Sequence, residues 1–232
     1  MRIQLPMFIL AGGLGTRLKK ILNDKPKALA PVGDVPFLEL LIEHWSDKGV
    51  ENFVLLLGYK SELIINFIKS STNKKINQCN FEFLVEETQL GTGGAIANAI
   101  QYLDLQTNFL VVNSDTWLTT EISGILKKKA PCLGLIWSDN VSRFGSVEID
   151  GSMKIISFNE KKEEKLKGLI NSGFYYLDPK IFKEWKGSFC SLEKEIFPQL
   201  VSDGKLSAVI LDSEFIDIGV PEDYERFKNQ QT

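Results

Sequence analysis

Short apolar runs alternate with segments of helical spacing along the first half of the chain, and this alternation limits the fold more than any other feature of the sequence. A short apolar run between turn residues is typical of a buried strand, whereas apolar residues three and four positions apart are typical of a helix. The resulting strand–helix–strand order predicts a parallel, doubly wound sheet with right-handed crossovers. The predicted strands are residues 7–10, 54–57, 81–85 and 109–112, and the predicted helices begin at Phe37, at Ser61 as N-cap, and at Thr92.

The second half of the chain has strand-like segments with few helices between them. This order predicts that an antiparallel portion is added to the sheet. We therefore expect an α/β fold with a mixed, mainly parallel central sheet, built as a single domain from residues 1–232. The further strands are expected at residues 132–137, 144–149, 154–158, 170–177 and 206–211, and the further helices at 191–201 and 221–229.

The composition argues against several classes of protein. With 232 residues, of which 44% are apolar and 25% charged, the chain can bury the core of one soluble α/β domain. A net charge of −3 argues against a nucleic-acid partner, since duplex binding usually needs a basic face. No apolar run approaches the ~20 residues of a membrane helix, and the cysteines form no CxxC pair, which favours reduced thiols. We therefore expect a cytoplasmic protein without a membrane partner, and self-association is left open.

A glycine-rich loop, GGLG at residues 12–15, directly follows the first predicted strand. Glycine lets backbone N–H groups approach a phosphate chain closely, and a helix start behind the loop favours anions. Two familiar phosphate-binding motifs do not fit: a Walker A loop needs Lys-Ser/Thr after Gly15, and a dinucleotide fingerprint needs glycine where Leu18 stands. Taken alone, the loop is equally well explained as a tight turn between a strand and a helix.

A Lys-Pro segment that begins shortly after Arg17 favours the phosphate hypothesis. Pro26 and Pro31 bracket Lys27 and restrict the backbone, so that the Lys27 ammonium group is held in a limited range of orientations. Arg17 can bind phosphate with its planar fork of donors, whereas Lys27 acts as a compact point charge. Together the two cations predict a site that neutralises a triphosphate.

These motifs resemble the sugar-1-phosphate nucleotidyltransferases, and the resemblance covers nearly the whole chain. Within that family the sequence is most similar to the D-glycero-D-manno-heptose 1-phosphate guanylyltransferases, which are short and carry GTGGAI. The resemblance implies a Rossmann-like fold, with a nucleotide-binding half at 1–118 and a sugar-phosphate-binding half at 119–232. The matching strings are GGLGTRL, PKALAPVGDVPFLE, LGTGGAI at 90–96, NSD at 113–115, EK at 160–161, GLINSG at 168–173 and FIDIGVPEDY at 215–224.

The same resemblance implies roles for individual residues. Asp115 follows a predicted strand, where α/β sheets bind ligands, and Asp217 lies in an apolar segment that is an odd place for an unpaired charge. Mg²⁺ in a nucleotide site takes one or two carboxylates, and the resemblance places both aspartates on one Mg²⁺ ion. Arg17, Lys27 and Asp115 are the implied catalytic residues. The implied nucleotide contacts are Leu10, Ala11, Gly12, Gly13, Gly15, Thr16, Glu86, Gly91 and Thr92. The implied sugar-phosphate contacts are Asn113, Gly145, Glu160, Lys161, Asn171 and Gly173.

Glu86 bears on the choice of nucleobase. It stands near the position where relatives that use thymidine or uridine nucleotides commonly carry a base-binding glutamine. A carboxylate only accepts hydrogen bonds, which suits the N–H donors of guanine, although a uracil N–H would also satisfy it. The resemblance implies transfer of GMP from GTP to D-glycero-α-D-manno-heptose 1-phosphate, for polysaccharide synthesis. One alternative is UTP- or GTP-dependent transfer to N-acetylmuramic acid 1-phosphate or mannose 1-phosphate. The other is a non-catalytic nucleotide sensor, which would be expected to lack Lys27, Asp115 or Asp217.

Overall fold

The structure is a computed structural model, and it describes residues 2–13, 15, 18, 22, 25–144, 146–159 and 166–231. The strands are β1 (Met7–Ala11), β2 (Pro31–Val32), β3 (Val35–Pro36), β4 (Asn52–Leu57), β5 (Asn80–Val85), β6 (Phe109–Asn113), β7 (Thr116–Leu118), β8 (Cys132–Ser138), β9 (Ser146–Ile149), β10 (Ile155–Asn159), β11 (Gly168–Leu177), β12 (Ser207–Ile210) and β13 (Phe215–Asp217). The α-helices are α1 (Phe37–Asp47), α2 (Ser61–Ser70), α3 (Gly91–Tyr102), α4 (Ile122–Leu126), α5 (Phe197–Ser202) and α6 (Pro221–Gln231). Within the described ranges, no helix combines the length and the apolar character needed to cross a bilayer.

The chain forms two compact units, and each is built from segments that are distant in sequence. The first unit contains Met1–Gln89, Val112–Leu118 and Ile216–Thr232, and the second contains Leu90–Val111 and Thr119–Phe215. Strand β6 begins in the second unit and ends in the first. The division of a single domain into halves 1–118 and 119–232 stays a prediction.

Strands β1, β4 and β5 form a parallel sheet in the first unit, with β4 between the other two. Every residue of β4 after Asn52 is buried, as is typical of a parallel strand covered on both faces. Ala11 lies beside Leu57, and Leu57 lies beside Val85, so the three strands end at the same edge. The strands predicted here are confirmed, and each is one or two residues longer than its apolar run.

Aromatic side chains pack helices α1 and α6 against strand β7 in the first unit. Phe37 on α1 is fully buried, and its ring centroid lies 5.2 Å from that of Phe227 on α6 and 6.3 Å from that of Trp117 on β7. The Trp117 and Phe227 centroids are 5.1 Å apart. Such pairs contribute about 0.5–1.5 kcal/mol each beyond the area they bury. The cluster therefore fixes β7, which follows Asp115, and α6, which follows Asp217.

The second unit contains a mixed sheet. Strand β8 pairs antiparallel with β11 and parallel with β12, and β9 pairs antiparallel with β10 and β11. The register of β11 against β8 shifts between Asn171 and Tyr175, and Gly173 within this shift has φ +74°. Glycine adopts that left-handed conformation without a steric penalty. The antiparallel portion predicted for the second half is confirmed.

One local prediction was wrong, and one confirmed helix begins with a different helix type. Ser61 is the first residue of α2 rather than its N-cap, because Lys60 with φ 52° precedes the helix. The helix predicted at 191–201 begins as a π-turn, Leu192–Ile196, and continues as α5. Pro198 lies at the start of α5 and has no N–H to donate to the preceding turn, which favours the wider π geometry there.

Candidate functional site

Gly12, Gly58 and Glu86 directly follow the three parallel strands of the first unit. Because those strands end in register, the three residues lie side by side at the carboxyl edge, where open α/β sheets bind their ligands. A Cβ atom on Gly58 would lie 2.8 Å from Glu86 Oε1 and 2.9 Å from the carbonyl oxygen of Gly12. A Cβ atom on Gly12 would lie 2.9 Å from the same Glu86 oxygen. Because neither glycine has a side chain, the Glu86 carboxylate fits directly against the backbone of both.

Glu86 is held in this position by its own main chain. Its N–H donates to the carbonyl of Leu57 at 2.9 Å, which extends the parallel ladder one residue past β5. The structure therefore brings together Gly12 and Glu86, two of the residues predicted to bind nucleotide. Sequence reasoning missed Gly58, although it follows an apolar strand in the same way that Gly12 follows β1.

Lys27, Asp115 and Asp217 meet beside Gly219 in the first unit. A Cβ atom on Gly219 would lie 2.7 Å from Asp217 Oδ1, 3.1 Å from Lys27 Nζ and 3.3 Å from Asp115 Oδ2. The Lys27 ammonium group also forms an ion pair with Asp115 Oδ2, and the two side chains are only 22% and 20% exposed. Three predicted site residues from distant parts of the sequence therefore share one cluster, and a glycine at position 219 keeps the space between them open.

Main-chain hydrogen bonds fix the two aspartates relative to each other. Strand β7, which follows Asp115, pairs with β13, which ends at Asp217. The N–H of Ile218 donates to the carbonyl of Asp115 at 2.9 Å, and the N–H of Gly219 donates to Asp217 Oδ1 at 2.8 Å. The carboxylates thus belong to one small, hydrogen-bonded scaffold.

Lys27 opens a 3₁₀ turn, Lys27–Leu29, that begins directly after Pro26. The N–H of Ala30 donates to the carbonyl of Lys27 at 3.0 Å, which closes the turn. A Cβ atom on Gly15, whose φ is +60°, would lie 3.3 Å from Lys27 Cβ. The glycine loop and the Lys27 segment are therefore neighbours, as a shared phosphate site requires.

The other described residues of the loop have separate surroundings. Leu10 and Ala11 end β1, and the carbonyl of Leu10 accepts a hydrogen bond of 3.1 Å from the N–H of Ser114. A Cβ atom on Gly13, which is exposed, would meet no atom of the described residues within 4 Å. Gly13 is therefore open to a ligand, whereas Leu10 and Ala11 form the end of strand β1.

The Asp115 and Asp217 carboxylates fit a hard divalent cation. Oxygen atoms of both lie within 3.3 Å of one point beside Gly219, and the Lys27 ammonium group shows that this place attracts positive charge. Among the residues that the structure describes, no group of three or more His, Cys, Asp or Glu could hold a metal ion. From the described residues, these two carboxylates would contribute to the coordination, and phosphate oxygens and water would complete it.

Gly91 lies in the second unit, where the start of α3 contacts the segment 188–193. The N–H groups of Gly93 and Gly94 donate to the carbonyl of Cys190 at 2.9 and 3.0 Å. A Cβ atom on Gly91, whose φ is +72°, would lie 2.6 Å from that same carbonyl oxygen. Because these residues are glycines, the main chain of Cys190 can pack directly against the first turn of α3.

The side chain of Thr92 hydrogen-bonds to the same segment, 188–193. Its hydroxyl donates to Glu193 Oε2 at 2.9 Å and accepts from the N–H of Leu192 at 2.9 Å. Direct nucleotide contacts by Gly91 and Thr92 stay a prediction, whereas the structure shows that both residues contact the segment 188–193.

The described sugar-phosphate candidates lie near strand ends or irregularities. Asn113 ends β6. Asn171 Nδ2 donates to the Tyr175 hydroxyl at 2.9 Å, and Asn171 Oδ1 accepts from the N–H of Gly173 at 3.0 Å. The Asn171 side chain thus stabilises the shift in β11, and its contact with sugar stays a prediction. The predicted residues that lie outside the described residues are Thr16, Arg17, Gly145, Glu160 and Lys161.

Comparison with known proteins defines the class. Residues 7–232 match the protein-family model described as "Nucleotidyl transferase". The chain therefore belongs to the nucleotidyl transferase family, and the resemblance found in its motifs is confirmed.

Several individual proteins are similar to the chain over nearly its whole length. The chain is 38% identical over 224 residues to the D-glycero-alpha-D-manno-heptose 1-phosphate guanylyltransferase of Campylobacter jejuni, which covers 94% of this chain and 96% of that protein. It is 30% identical over 228 residues to the protein of the same name from Aneurinibacillus thermoaerophilus, with 96% of each covered. The crystal structure of HddC from Yersinia pseudotuberculosis matches with a TM-score of 0.87 and 34% identity, covering 99% of this chain and 100% of that one. The same protein complexed with GMP-PN matches with a TM-score of 0.85. The predicted α/β fold with a mixed, mainly parallel central sheet is confirmed by this likeness.

Proposed function

We propose that this protein transfers GMP from GTP to D-glycero-α-D-manno-heptose 1-phosphate in the cytoplasm and releases pyrophosphate, giving a nucleotide sugar for polysaccharide synthesis. The observation that carries the proposal is the meeting of Lys27, Asp115 and Asp217 beside Gly219. The heptose 1-phosphate guanylyltransferases to which the chain is similar supply the choice of sugar and base.

The reaction requires alignment and charge rather than a protein nucleophile. A sugar phosphate is largely dianionic near pH 7, since its second pKa is about 6. One of its oxygens attacks the α-phosphorus, the bond from that phosphorus to the bridging oxygen breaks, and pyrophosphate leaves with the electron pair. Lys27, together with Arg17, would neutralise charge on the phosphates. Mg²⁺ held by Asp115 and Asp217 would add Lewis-acid polarisation of a phosphoryl oxygen. We therefore expect no exchange of labelled pyrophosphate into GTP before sugar phosphate is added.

Glu86 supports guanine as the base. Its carboxylate stands at the carboxyl edge of the sheet beside the bare backbone of Gly12 and Gly58, where a flat ring could lie against the chain. Guanine offers two neighbouring N–H donors to one carboxylate, whereas uracil offers one. The same geometry would leave one carboxylate oxygen without a base donor if UTP were bound.

The Glu86→Gln variant should lose its preference for GTP. The amide presents N–H groups where the carboxylate only accepts, and hydrogen bonds to a charged group contribute about 1.5–3 kcal/mol. We expect kcat/KM for GTP to fall by about 10- to 100-fold, while the value for UTP changes little. Steady-state kinetics with both nucleotides measures the ratio. Glu82→Gln, at an exposed position on the strand that precedes Glu86, is the matched control, and an unchanged GTP/UTP ratio in Glu86→Gln would remove Glu86 from base recognition.

An assay of pyrophosphate release over a matrix of four nucleoside triphosphates and several sugar 1-phosphates tests the proposal. GTP with the heptose 1-phosphate should give the highest kcat/KM. A maximum with mannose 1-phosphate or N-acetylmuramic acid 1-phosphate would keep the reaction type but replace the substrate. Binding of GTP without turnover of any pair would favour a nucleotide sensor, an interpretation that the retained Lys27, Asp115 and Asp217 argue against.

A further inference from the structure

Tyr224 on helix α6 connects the two segments that carry the charged cluster. Its side chain is almost fully buried, at 1% exposure, and its hydroxyl donates a hydrogen bond to the carbonyl of Pro31. The partners are 193 positions apart in sequence and both lie in the first unit. Burial raises the pKa of the Tyr224 hydroxyl, so the group keeps its proton and stays a donor at neutral pH.

The acceptor belongs to the segment that presents Lys27. Pro31 follows the turn Lys27–Leu29 and begins the two-residue strand β2. The turn is closed by the bond from Ala30 to Lys27, so Lys27 and Ala30 are joined in one hydrogen-bonded turn directly before Pro31. A tether on the Pro31 carbonyl therefore restrains the base of the Lys27 side chain.

The donor belongs to the segment that presents Asp217. The N–H of Tyr224 donates to the carbonyl of Val220 at 3.0 Å, one helical turn after the loop in which Gly219 binds the Asp217 carboxylate. Helix α6 is also anchored by the Phe227 ring on Phe37 and Trp117. The Tyr224 hydroxyl thus links this anchored helix to the Lys27 segment.

We propose that Tyr224 is a positioning residue that sets the separation between the Lys27 ammonium group and the Asp217 carboxylate. The inference rests on the proposed function, because it assigns to these two groups a joint task at the phosphates. Without the Tyr224 hydroxyl, the Lys27 ammonium group can shift toward the neighbouring Asp217 carboxylate, where it would compete with a divalent cation for a second carboxylate. Outer partners of a metal site typically contribute about 10- to 100-fold to metal affinity or activity. The Tyr224→Phe variant keeps the ring and its packing and removes only the hydroxyl.

Kinetics and metal binding of Tyr224→Phe test the assignment. We expect kcat to fall about 10-fold or more, with KM for GTP near the wild-type value, and Mn²⁺ to bind about 10-fold more weakly in a titration followed by water-proton relaxation. Tyr176→Phe is the matched control, because its hydroxyl accepts a hydrogen bond of 2.9 Å from Asn108 in the second unit. That variant should keep wild-type kcat and Mn²⁺ affinity.

Each outcome decides the question. Unchanged kcat and Mn²⁺ affinity in Tyr224→Phe would overturn the assignment, and so would losses equal to those of Tyr176→Phe, which would show a general effect on stability. If the wild-type protein turned over no substrate pair, the proposed function would fail, and the Mn²⁺ titration would still decide. Equal Mn²⁺ affinity in wild type and Tyr224→Phe would then overturn the assignment on its own.

Discussion

The Asp217→Asn variant is expected to lose turnover by about 10³-fold, because a Lewis-acid metal contributes several kcal/mol and each 1.4 kcal/mol is a factor of ten. Asparagine has nearly the same shape, and its Oδ1 can still accept the hydrogen bond that the N–H of Gly219 donates to Asp217. The loop should therefore keep its conformation while the cluster loses one negative charge. Mn²⁺ affinity should fall with turnover, by at least about 10-fold.

Asp178→Asn is a matched control that distinguishes loss of the Asp217 charge from a disturbance of the local turn. Asp178 Oδ1 accepts from the N–H of Lys180, two residues on, at 2.9 Å, which is the same local pattern as Asp217 with Gly219. Asp178→Asn should leave turnover and Mn²⁺ affinity at the wild-type level. Circular dichroism and thermal unfolding check that both variants are folded. Retention of most activity in a folded Asp217→Asn would remove Asp217 from the proposed metal site.

The carboxyl edge of the parallel sheet in the first unit can be predicted from local patterns. Apolar runs predict the parallel strands, and parallel strands end at one edge, so the residues after each run, Gly12, Gly58 and Glu86, are neighbours by geometry. The prediction missed Gly58 only because a single glycine after a strand is a weak signal by itself. The underlying physics is local: burial fixes the strand, and register fixes the position of the next residue along the chain.

The acidic pair has no such local signal. Asp115 and Asp217 are brought together by β7 and β13, which have three residues each, and strands of that length leave no periodicity to detect. Only the family resemblance predicted that the two carboxylates share a site. The packing of Cys190 against the glycines of α3 could not be predicted either. The hydrogen bonds from Gly93 and Gly94 to Cys190 join segments about a hundred residues apart, so no local pattern announces them.

The Lys27→Met variant is expected to lose turnover by about 10²- to 10³-fold, which is the usual cost of removing one group that stabilises charge in the transition state. Its effect on metal binding should be opposite to that of Asp217→Asn. The Lys27 ammonium group is paired with Asp115 Oδ2 in a setting that is only about one-fifth exposed, and it therefore competes with a divalent cation for the same oxygen. Methionine keeps the length of the stem but removes the charge, so Mn²⁺ should bind at least as tightly as to wild type.

The control for this variant is Lys75→Met, whose ammonium group pairs with Asp47 Oδ2 at 2.7 Å in the same unit, with the side chains 44% and 60% exposed. The Asp47 hydrogen bond raises the pKa of Lys75, so the substitution removes one positive charge just as Lys27→Met does. Lys75→Met should change neither turnover nor Mn²⁺ affinity, because exposed ion pairs are screened by water and salt. The two readouts then assign roles: loss of turnover with retained Mn²⁺ binding identifies Lys27 as a phosphate-neutralising cation. Weaker Mn²⁺ binding in Lys27→Met would show instead that the lysine holds Asp115 in place for the metal, and the role proposed for its charge at the phosphates would be wrong.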